Sequence, residues 1–151
     1  MTVIRLERRY PHPPARVWRA LTDRAAISEW LMKTDDFEAR IGAKFVLRAP
    51  PQPGWRGFVE CEVVECVPER VLAYTWVGDE KRAPMRVRYE IRPEGDGTRL
   101  SFEHAGFEGV GGWMLARFMM GPGWRKMLDV RLPAVLARHA SAAPTDAIGS
   151  A

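Results

Sequence analysis

A change in hydrophobic period divides this chain into three parts. From Asp35 to Phe107 apolar residues recur at every second position, and turn-forming residues interrupt the pattern at intervals. The segment from Pro84 to Pro93 shows this most clearly, since four apolar residues alternate there with four charged ones. Alternation of this kind indicates antiparallel strands that bury one face. The middle of the chain therefore predicts five or six strands.

The part before these strands combines one strand with helices. Residues 3–10 alternate as one further strand, and residues 14–31 place apolar side chains at helical spacing. The second pattern predicts a pair of short helices. Thr22 or Asp23 is suited to cap the second helix, because both side chains accept hydrogen bonds from backbone N–H groups.

The part after the strands returns to helical spacing. Residues 113–120 predict a short helical segment, and the Gly-Pro-Gly sequence at 121–123 predicts its end. Residues 124–136 carry an apolar stripe that is typical of an amphipathic helix. Because Pro133 cannot donate a hydrogen bond inside this helix, we expect a kink there.

This order of elements leaves few architectures. The chain has 151 residues, the size of one domain, and we expect residues 1–140 to form it and residues 141–151 to be a flexible tail. A sheet with one apolar face and a helix with one apolar stripe must cover each other, which predicts an α+β fold. Because many inward-facing residues are large, we expect the helix to stand off the sheet and leave an internal cavity.

Charge and hydropathy exclude several classes of protein. The 23 basic and 19 acidic residues give a net charge of +4, which is modest for a protein that binds nucleic acid. The charge-free apolar stretch from Gly109 to Ala116 is far shorter than the roughly 20 residues of a membrane span. Charged residues also interrupt the first ten positions, where a signal peptide would be apolar. We therefore expect a cytoplasmic protein without a nucleic-acid partner or a membrane span.

The cysteines and histidines predict neither a disulfide nor a metal site. Cys61 and Cys66 would lie roughly 16 Å apart on one extended strand, beyond the reach of a disulfide. The three histidines are scattered along the chain, and no spacing typical of metal ligands occurs. We expect two reduced cysteines, no metal and no cofactor.

Five segments, taken in order, resemble one protein family. They are IRLERRYPHPPARVWRALTDRAAISEWL, FEARIGAKFVLR, GFVECEVVECVPERVLAYTW, GDGTRLSFEHAGF and GWRKML. The resemblance covers roughly residues 3–136. The chain resembles the activator of Hsp90 ATPase homologue 1-like family of the START and Bet v 1-like (SRPBCC) superfamily. This resemblance implies a helix-grip fold, in which a curved antiparallel sheet of six to seven strands wraps around a long C-terminal helix, with two short helices after the first strand.

The resemblance implies three functions, and fold alone does not choose among them. The first is non-catalytic binding of an apolar small molecule, lipid-like or aromatic, between the sheet and the C-terminal helix. The second is a co-chaperone-like protein-interaction module. The co-chaperone that names the family has an additional N-terminal domain with no counterpart in these residues, so Hsp90 is not the expected partner. The third is a cyclase- or hydratase-like enzyme that uses His104. We expect the first function, in a monomer or a homodimer.

The candidate ligand-binding residues are large or apolar side chains that the two periodicities turn toward the interior. Among them, tyrosine, tryptophan and histidine combine apolar area with a polar atom that can orient a ligand. The candidates are Trp30, Phe45, Val59, Cys61, Tyr74, Trp76, Val87, Tyr89, Phe102, His104, Trp113, Phe118, Trp124 and Leu128.

Two features of the last helical part have alternative interpretations. Apolar residues at 113–120 could form an adaptable gate beside flexible glycines, or they could be ordinary core. Arg117, Arg125, Lys126 and Arg138 could dock an acidic protein or a phosphate, or they could form a solvated helix face.

Overall fold

A six-stranded antiparallel sheet forms the body of the protein, as the alternating pattern predicted. The computed structural model describes residues 2–140. The strand order is β1-β6-β5-β4-β3-β2, so β1 and β2 are the two edges. The strands are β1 (Thr2–Tyr10), β2 (Lys44–Arg48), β3 (Phe58–Val67), β4 (Val71–Trp76), β5 (Met85–Glu94) and β6 (Gly97–Phe107).

The strand register places the large inward-facing side chains in rows across the sheet. Tyr89 on β5 lies opposite Leu72 on β4 and Phe102 on β6. Val87 lies opposite Tyr74 and His104 in the same way. Side chains paired across strands point to the same face, so these residues share the buried face.

Two short helices, α1 (Pro14–Thr22) and α2 (Arg24–Trp30), follow β1 as predicted. Pro14 occupies the first turn of α1. Backbone N–H groups in the first turn make no hydrogen bond within the helix, so proline costs no bond there. Asp23 caps α2, because its carboxylate accepts a hydrogen bond of 2.9 Å from the backbone N–H of Ala26. Thr22 instead donates its hydroxyl to the carbonyl of Trp18.

The last part of the chain is one continuous helix over residues 109–140, hereafter the C-terminal helix. The break predicted at residues 121–123 is wrong. Two turns of wider π-helical spacing, Ala116–Met120 and Met127–Arg131, end two residues before Pro122 and Pro133, respectively. Each proline leaves the carbonyl four residues earlier without its usual N–H partner, and both of those carbonyls lie within the wide turns. The helix therefore accommodates the prolines by widening locally.

The second half of the C-terminal helix presents its predicted apolar stripe to the sheet. Its buried residues are Trp124, Leu128, Leu132, Val135 and Leu136, and Met127, the remaining member of the stripe, is partly buried against them. This arrangement of sheet and helix is the helix-grip fold that the resemblance implied. The predicted tail, residues 141–151, lies outside the described residues. Within residues 2–140 no helix is both long enough and apolar enough to cross a bilayer.

Candidate functional site

Most of the predicted ligand-binding residues meet in the interior between the sheet and the C-terminal helix. Trp30 comes from α2, and Trp124 and Leu128 come from the C-terminal helix, while the sheet supplies the rest. The buried residues are Trp30, Phe45, Val59, Cys61, Tyr74, Trp76, Val87, Tyr89, Phe102, His104, Trp124 and Leu128. The two periodicities therefore identified most of these residues as buried.

The interior expected to be hollow is filled by aromatic rings. The Trp124 ring lies 4.3 Å from Phe102 and 5.6 Å from Trp76, centroid to centroid. Farther along the sheet, Phe45 lies 5.0 Å from Tyr74. The helix thus packs directly on the sheet, because its tryptophan occupies the space that the large sheet residues leave. Two pockets, of about 300 and 230 Å³, lie outside this interior.

His104 holds the most unusual polar atom of this interior. Its side chain is 0% exposed, and the rings of Trp76, Phe107 and Trp124 surround it. Trp124 donates its indole N–H to His104 Nδ1 over 2.9 Å. His104 Nε2, by contrast, is buried with no hydrogen-bond partner among the described residues. Buried polar atoms without a partner are rare in folded proteins and call for an explanation.

The protonation state of His104 follows from its surroundings. Burial lowers the pKa of His104 to about 3, so the ring is neutral near pH 7. A neutral imidazole carries one proton, and Nδ1 has none because it accepts the indole N–H. The proton is therefore on Nε2. The interior contains an N–H donor that points at no acceptor in the described part of the chain.

A second polar feature is the pair of hydroxyls on Tyr74 and Tyr89, which lie 2.7 Å apart. Burial raises the pKa of both phenols, so both remain protonated. One hydroxyl donates to the other, which leaves one of the two protons available. Since Val87 pairs with both Tyr74 and His104, the backbones of these two residues lie two strands apart, or about 10 Å.

The Cys61 thiol is buried on the same face of the sheet as these residues and is unreactive. Burial is the largest cause that raises the pKa of Cys61 well above its ordinary value. The thiol therefore remains protonated and packs as a small apolar group. Within residues 2–140 no group of His, Cys, Asp or Glu is arranged to hold a metal ion.

Trp113 and Phe118 do not line the interior, and their assignment as ligand-binding residues is not supported by their position. Both side chains are about half exposed or more. Their ring centroids lie 6.0 Å apart on the outer side of the helix. The small residues Gly112, Ala116 and Gly121 are the buried ones in this part of the helix. A Cβ on Gly112 would lie 2.7 Å from the Phe107 carbonyl carbon, so the helix approaches too closely for large side chains.

Tyr10 is an interior contact that the sequence interpretation missed. Its hydroxyl donates to the carbonyl of Leu128 over 2.7 Å and so ties β1 to the C-terminal helix. The alternation that placed Ile4 and Leu6 on the buried face also reaches Tyr10, so the signal was present. Phe107 next to His104 was missed as well, because it ends β6 where the alternation gives way to the helix.

Comparison with known proteins shows that most of this chain matches one protein family. The pattern of the family described as "Activator of Hsp90 ATPase homolog 1-like protein" matches residues 11–137. A comparison with curated protein sequences found no match.

Solved structures give the same result for the fold. Protein MLL2253 from Mesorhizobium loti is 32% identical with a TM-score of 0.76, and the match covers 91% of this chain and 98% of that one. CalU16 from Micromonospora echinospora is 29% identical with a TM-score of 0.71, over 92% of this chain and 78% of that one. The Aha1 dimer from Colwellia psychrerythraea is 17% identical with a TM-score of 0.69, and the match covers 85% of this chain and 91% of that one. The last comparison concerns the fold alone.

Proposed function

The chain belongs to the family of activator of Hsp90 ATPase homolog 1-like proteins, and we infer that it binds an apolar small molecule between the sheet and the C-terminal helix. The ligand is aromatic or lipid-like and carries at least one oxygen that accepts a hydrogen bond. Its apolar part contacts the rings around Trp124, and these contacts supply most of the affinity.

The observation that carries this proposal is the unpartnered N–H of His104. Leaving a buried donor without an acceptor costs about 1–3 kcal/mol, so the site gains that much when a ligand oxygen accepts the bond. The proton left over on the Tyr74 and Tyr89 pair provides a second donor in the same interior. Two donors set in an otherwise apolar interior favour a ligand whose acceptor oxygens stand on a rigid ring system.

Binding requires the C-terminal helix to move, because its tryptophan fills the interior. Trp124 is 0% exposed and lies between the two wide turns of this helix. Wide π-helical turns often occur at functional sites of helices. We propose that the helix shifts at these turns, which withdraws Trp124 from Phe102 and opens room for the ligand.

The same geometry favours binding over catalysis. A general base needs a free lone pair and a pKa near the working pH. The lone pair of His104 Nδ1 is engaged by Trp124, and burial holds the pKa of His104 at about 3. The imidazole is therefore a hydrogen-bond donor that orients a ligand.

A pair of matched probes tests this proposal. We use 2-acetonaphthone, which has a carbonyl oxygen, and 2-ethylnaphthalene, which has the same ring system without an acceptor. Calorimetry should show tighter binding of the ketone to the wild-type protein, by about tenfold if its oxygen gains a net 1.4 kcal/mol. His104→Asn should remove this preference, because its amide replaces Nδ1 and leaves no donor at the position of Nε2.

Two outcomes would contradict the proposal. Absence of binding by either probe up to its solubility limit argues against an interior apolar site. A preference for the ketone that survives in His104→Asn argues against the role of the histidine. Trp113→Ser together with Phe118→Ser serves as the control for adsorption to the exposed helix surface, and interior binding should be unchanged in it.

A further inference from the structure

The outer face of the C-terminal helix begins with an exposed apolar patch. Five large apolar side chains within ten residues are 48% to 75% exposed. They are Val110, Trp113, Met114, Phe118 and Met119, and this set is called the apolar patch below. A water-facing helix surface normally carries polar residues opposite its buried stripe. Contiguous exposed apolar surface of this kind marks a site of interaction.

A basic groove adjoins the apolar patch. A pocket of about 230 Å³ lies between β1 and the helix, and Arg5, Arg117 and Arg125 line it together with Trp113. Arg5 contacts the carboxylate of Glu103 at 3.4 Å. Within residues 2–140 neither Arg117 nor Arg125 forms an ion pair, although the Arg117 guanidinium lies 5.5 Å from the ring centroid of Phe118. This pocket is called the arginine groove below.

The charges of the helix beside this surface are all positive over residues 109–128. No Asp or Glu occurs between Glu108 and Asp129, whereas Arg117, Arg125 and Lys126 fall in that interval. The surface therefore combines aromatic and Met side chains with unpaired cations and has no nearby acid on its own helix. Its charge complements an anionic partner.

We propose that the apolar patch and the arginine groove bind the surface of a membrane that contains anionic phospholipid. Trp113, Phe118 and the methionines enter the boundary between headgroups and acyl chains, where aromatic rings are favourable. Arg117 and Arg125 contact lipid phosphates, for which guanidinium is well suited. The helix lies along the membrane surface and does not cross it. This role is independent of ligand binding in the interior.

Two features favour a lipid surface over another protein. In a symmetric dimer the same patch of both subunits would meet. Arg117 and Arg125 of one subunit would then lie close to the same arginines of the other, and the repulsion between these like charges would weaken the dimer. Apart from Trp113, which borders the groove, the apolar side chains of the patch are exposed on the helix and line no groove there. A membrane interface accommodates protruding side chains without a preformed matching shape.

Sedimentation with lipid vesicles tests the proposal. The full chain is mixed with vesicles of phosphatidylglycerol and phosphatidylcholine in equal parts, or of phosphatidylcholine alone. We expect at least tenfold stronger binding to the anionic vesicles, and weaker binding as salt screens the arginines. Trp113→Ser with Phe118→Ser should lower the partition coefficient at least tenfold. Arg117→Gln and Arg125→Gln should each lower it about fivefold.

Matched control variants separate this site from general surface properties. Ile41→Ser removes an equally exposed apolar side chain outside the helix, and Lys44→Gln removes a positive charge on β2, at the opposite edge of the sheet from β1. Both should bind anionic vesicles within about twofold of wild type. The patch residues are exposed, so circular dichroism should show all these variants folded.

Three results would overturn the proposal. The wild-type chain could fail to sediment with anionic vesicles at low salt. The patch and groove variants could bind as well as wild type. Light scattering could show a dimer that Trp113→Ser with Phe118→Ser converts to monomer, in which case the patch serves a second copy of the chain.

Discussion

At the scale of single residues, the neutral state of His104 makes the stability of the protein depend on pH. The pKa of His104 is about 3 in the folded protein and 6.5 when unperturbed. The unfolded chain therefore binds a proton below pH 6.5 that the folded chain excludes. Stability from this residue is complete above pH 6.5 and falls as the pH drops toward 3, by about 2 kcal/mol at pH 5.

Urea unfolding at pH 7.5 and pH 5 measures this loss. His104→Asn keeps an acceptor for the Trp124 indole but does not titrate, so its free energy of unfolding should fall by about 2 kcal/mol less than that of wild type over this range. Other groups contribute equally to both proteins. Identical losses in the two proteins would show that His104 is not held neutral by the fold.

The hydroxyl pair of Tyr74 and Tyr89 gives a second prediction at this scale. Tyr74→Phe leaves the Tyr89 hydroxyl buried without a partner and should cost about 1–3 kcal/mol of unfolding free energy. Replacing both tyrosines by phenylalanine removes both polar groups, so the double variant should lose less than the sum of the single losses. Chemical denaturation of the three variants measures the coupling, and strictly additive losses would contradict the hydrogen bond.

At the scale of elements, two neighbouring glycines of the C-terminal helix should respond oppositely to alanine. A Cβ on Gly121 would lie 2.7 Å from the carbonyl oxygen of Ala116, whereas a Cβ on Gly123 has nothing within 4 Å. Gly123→Ala should therefore stabilise the helix by about 0.5–1 kcal/mol. Gly121→Ala should destabilise it, because the wide turn must shift. Thermal melts compare the two, and stabilisation by both would contradict the close approach.

The same helix shows what a sequence pattern can miss. Large residues at helical spacing suggested that Trp113 and Phe118 face the interior, but both are exposed. At the neighbouring Gly112 a Cβ would lie 2.7 Å from the Phe107 carbonyl carbon, so this turn of the helix presents a small residue to the end of β6. The Gly-Pro-Gly sequence similarly suggested an end to the helix. Local sequence preferences predict neither the outward position of these two side chains nor the continuation of the helix through residues 121–123. Packing against the sheet determines the first, and the wide turn before each proline determines the second.

At the scale of the whole molecule, alternation in the sequence was enough to predict the sheet and its buried face. Tyr89, Phe102 and His104 are buried as the period of two requires. The separation between sheet and helix could not be predicted in this way, since it depends on how Trp124 fits among those rings. The sequence therefore predicted most of the buried residues, whereas the expected hollow between sheet and helix is filled by the Trp124 ring.

Alkaline titration reports on the molecule as a whole. All three tyrosines are buried, and burial is the largest cause that raises the pKa of each above 10. Their contribution to stability is complete below pH 10 and is lost as the pH rises above it, because only the unfolded chain ionises readily. Tyrosinate absorbance at 295 nm should therefore appear together with loss of circular dichroism. Ionisation of even one tyrosine in the folded protein would contradict this packing.

The central claim is that the interior around His104 receives a ligand oxygen, and nitrogen-15 NMR of the imidazole tests it most directly. In the protein alone, the spectrum should show a neutral ring with its proton on Nε2. Addition of 2-acetonaphthone should shift the Nε2–H resonance downfield and give contacts between the probe and the Trp124 ring. An unchanged Nε2–H resonance under saturating probe, with contacts confined to Trp113 and Phe118, would contradict the account.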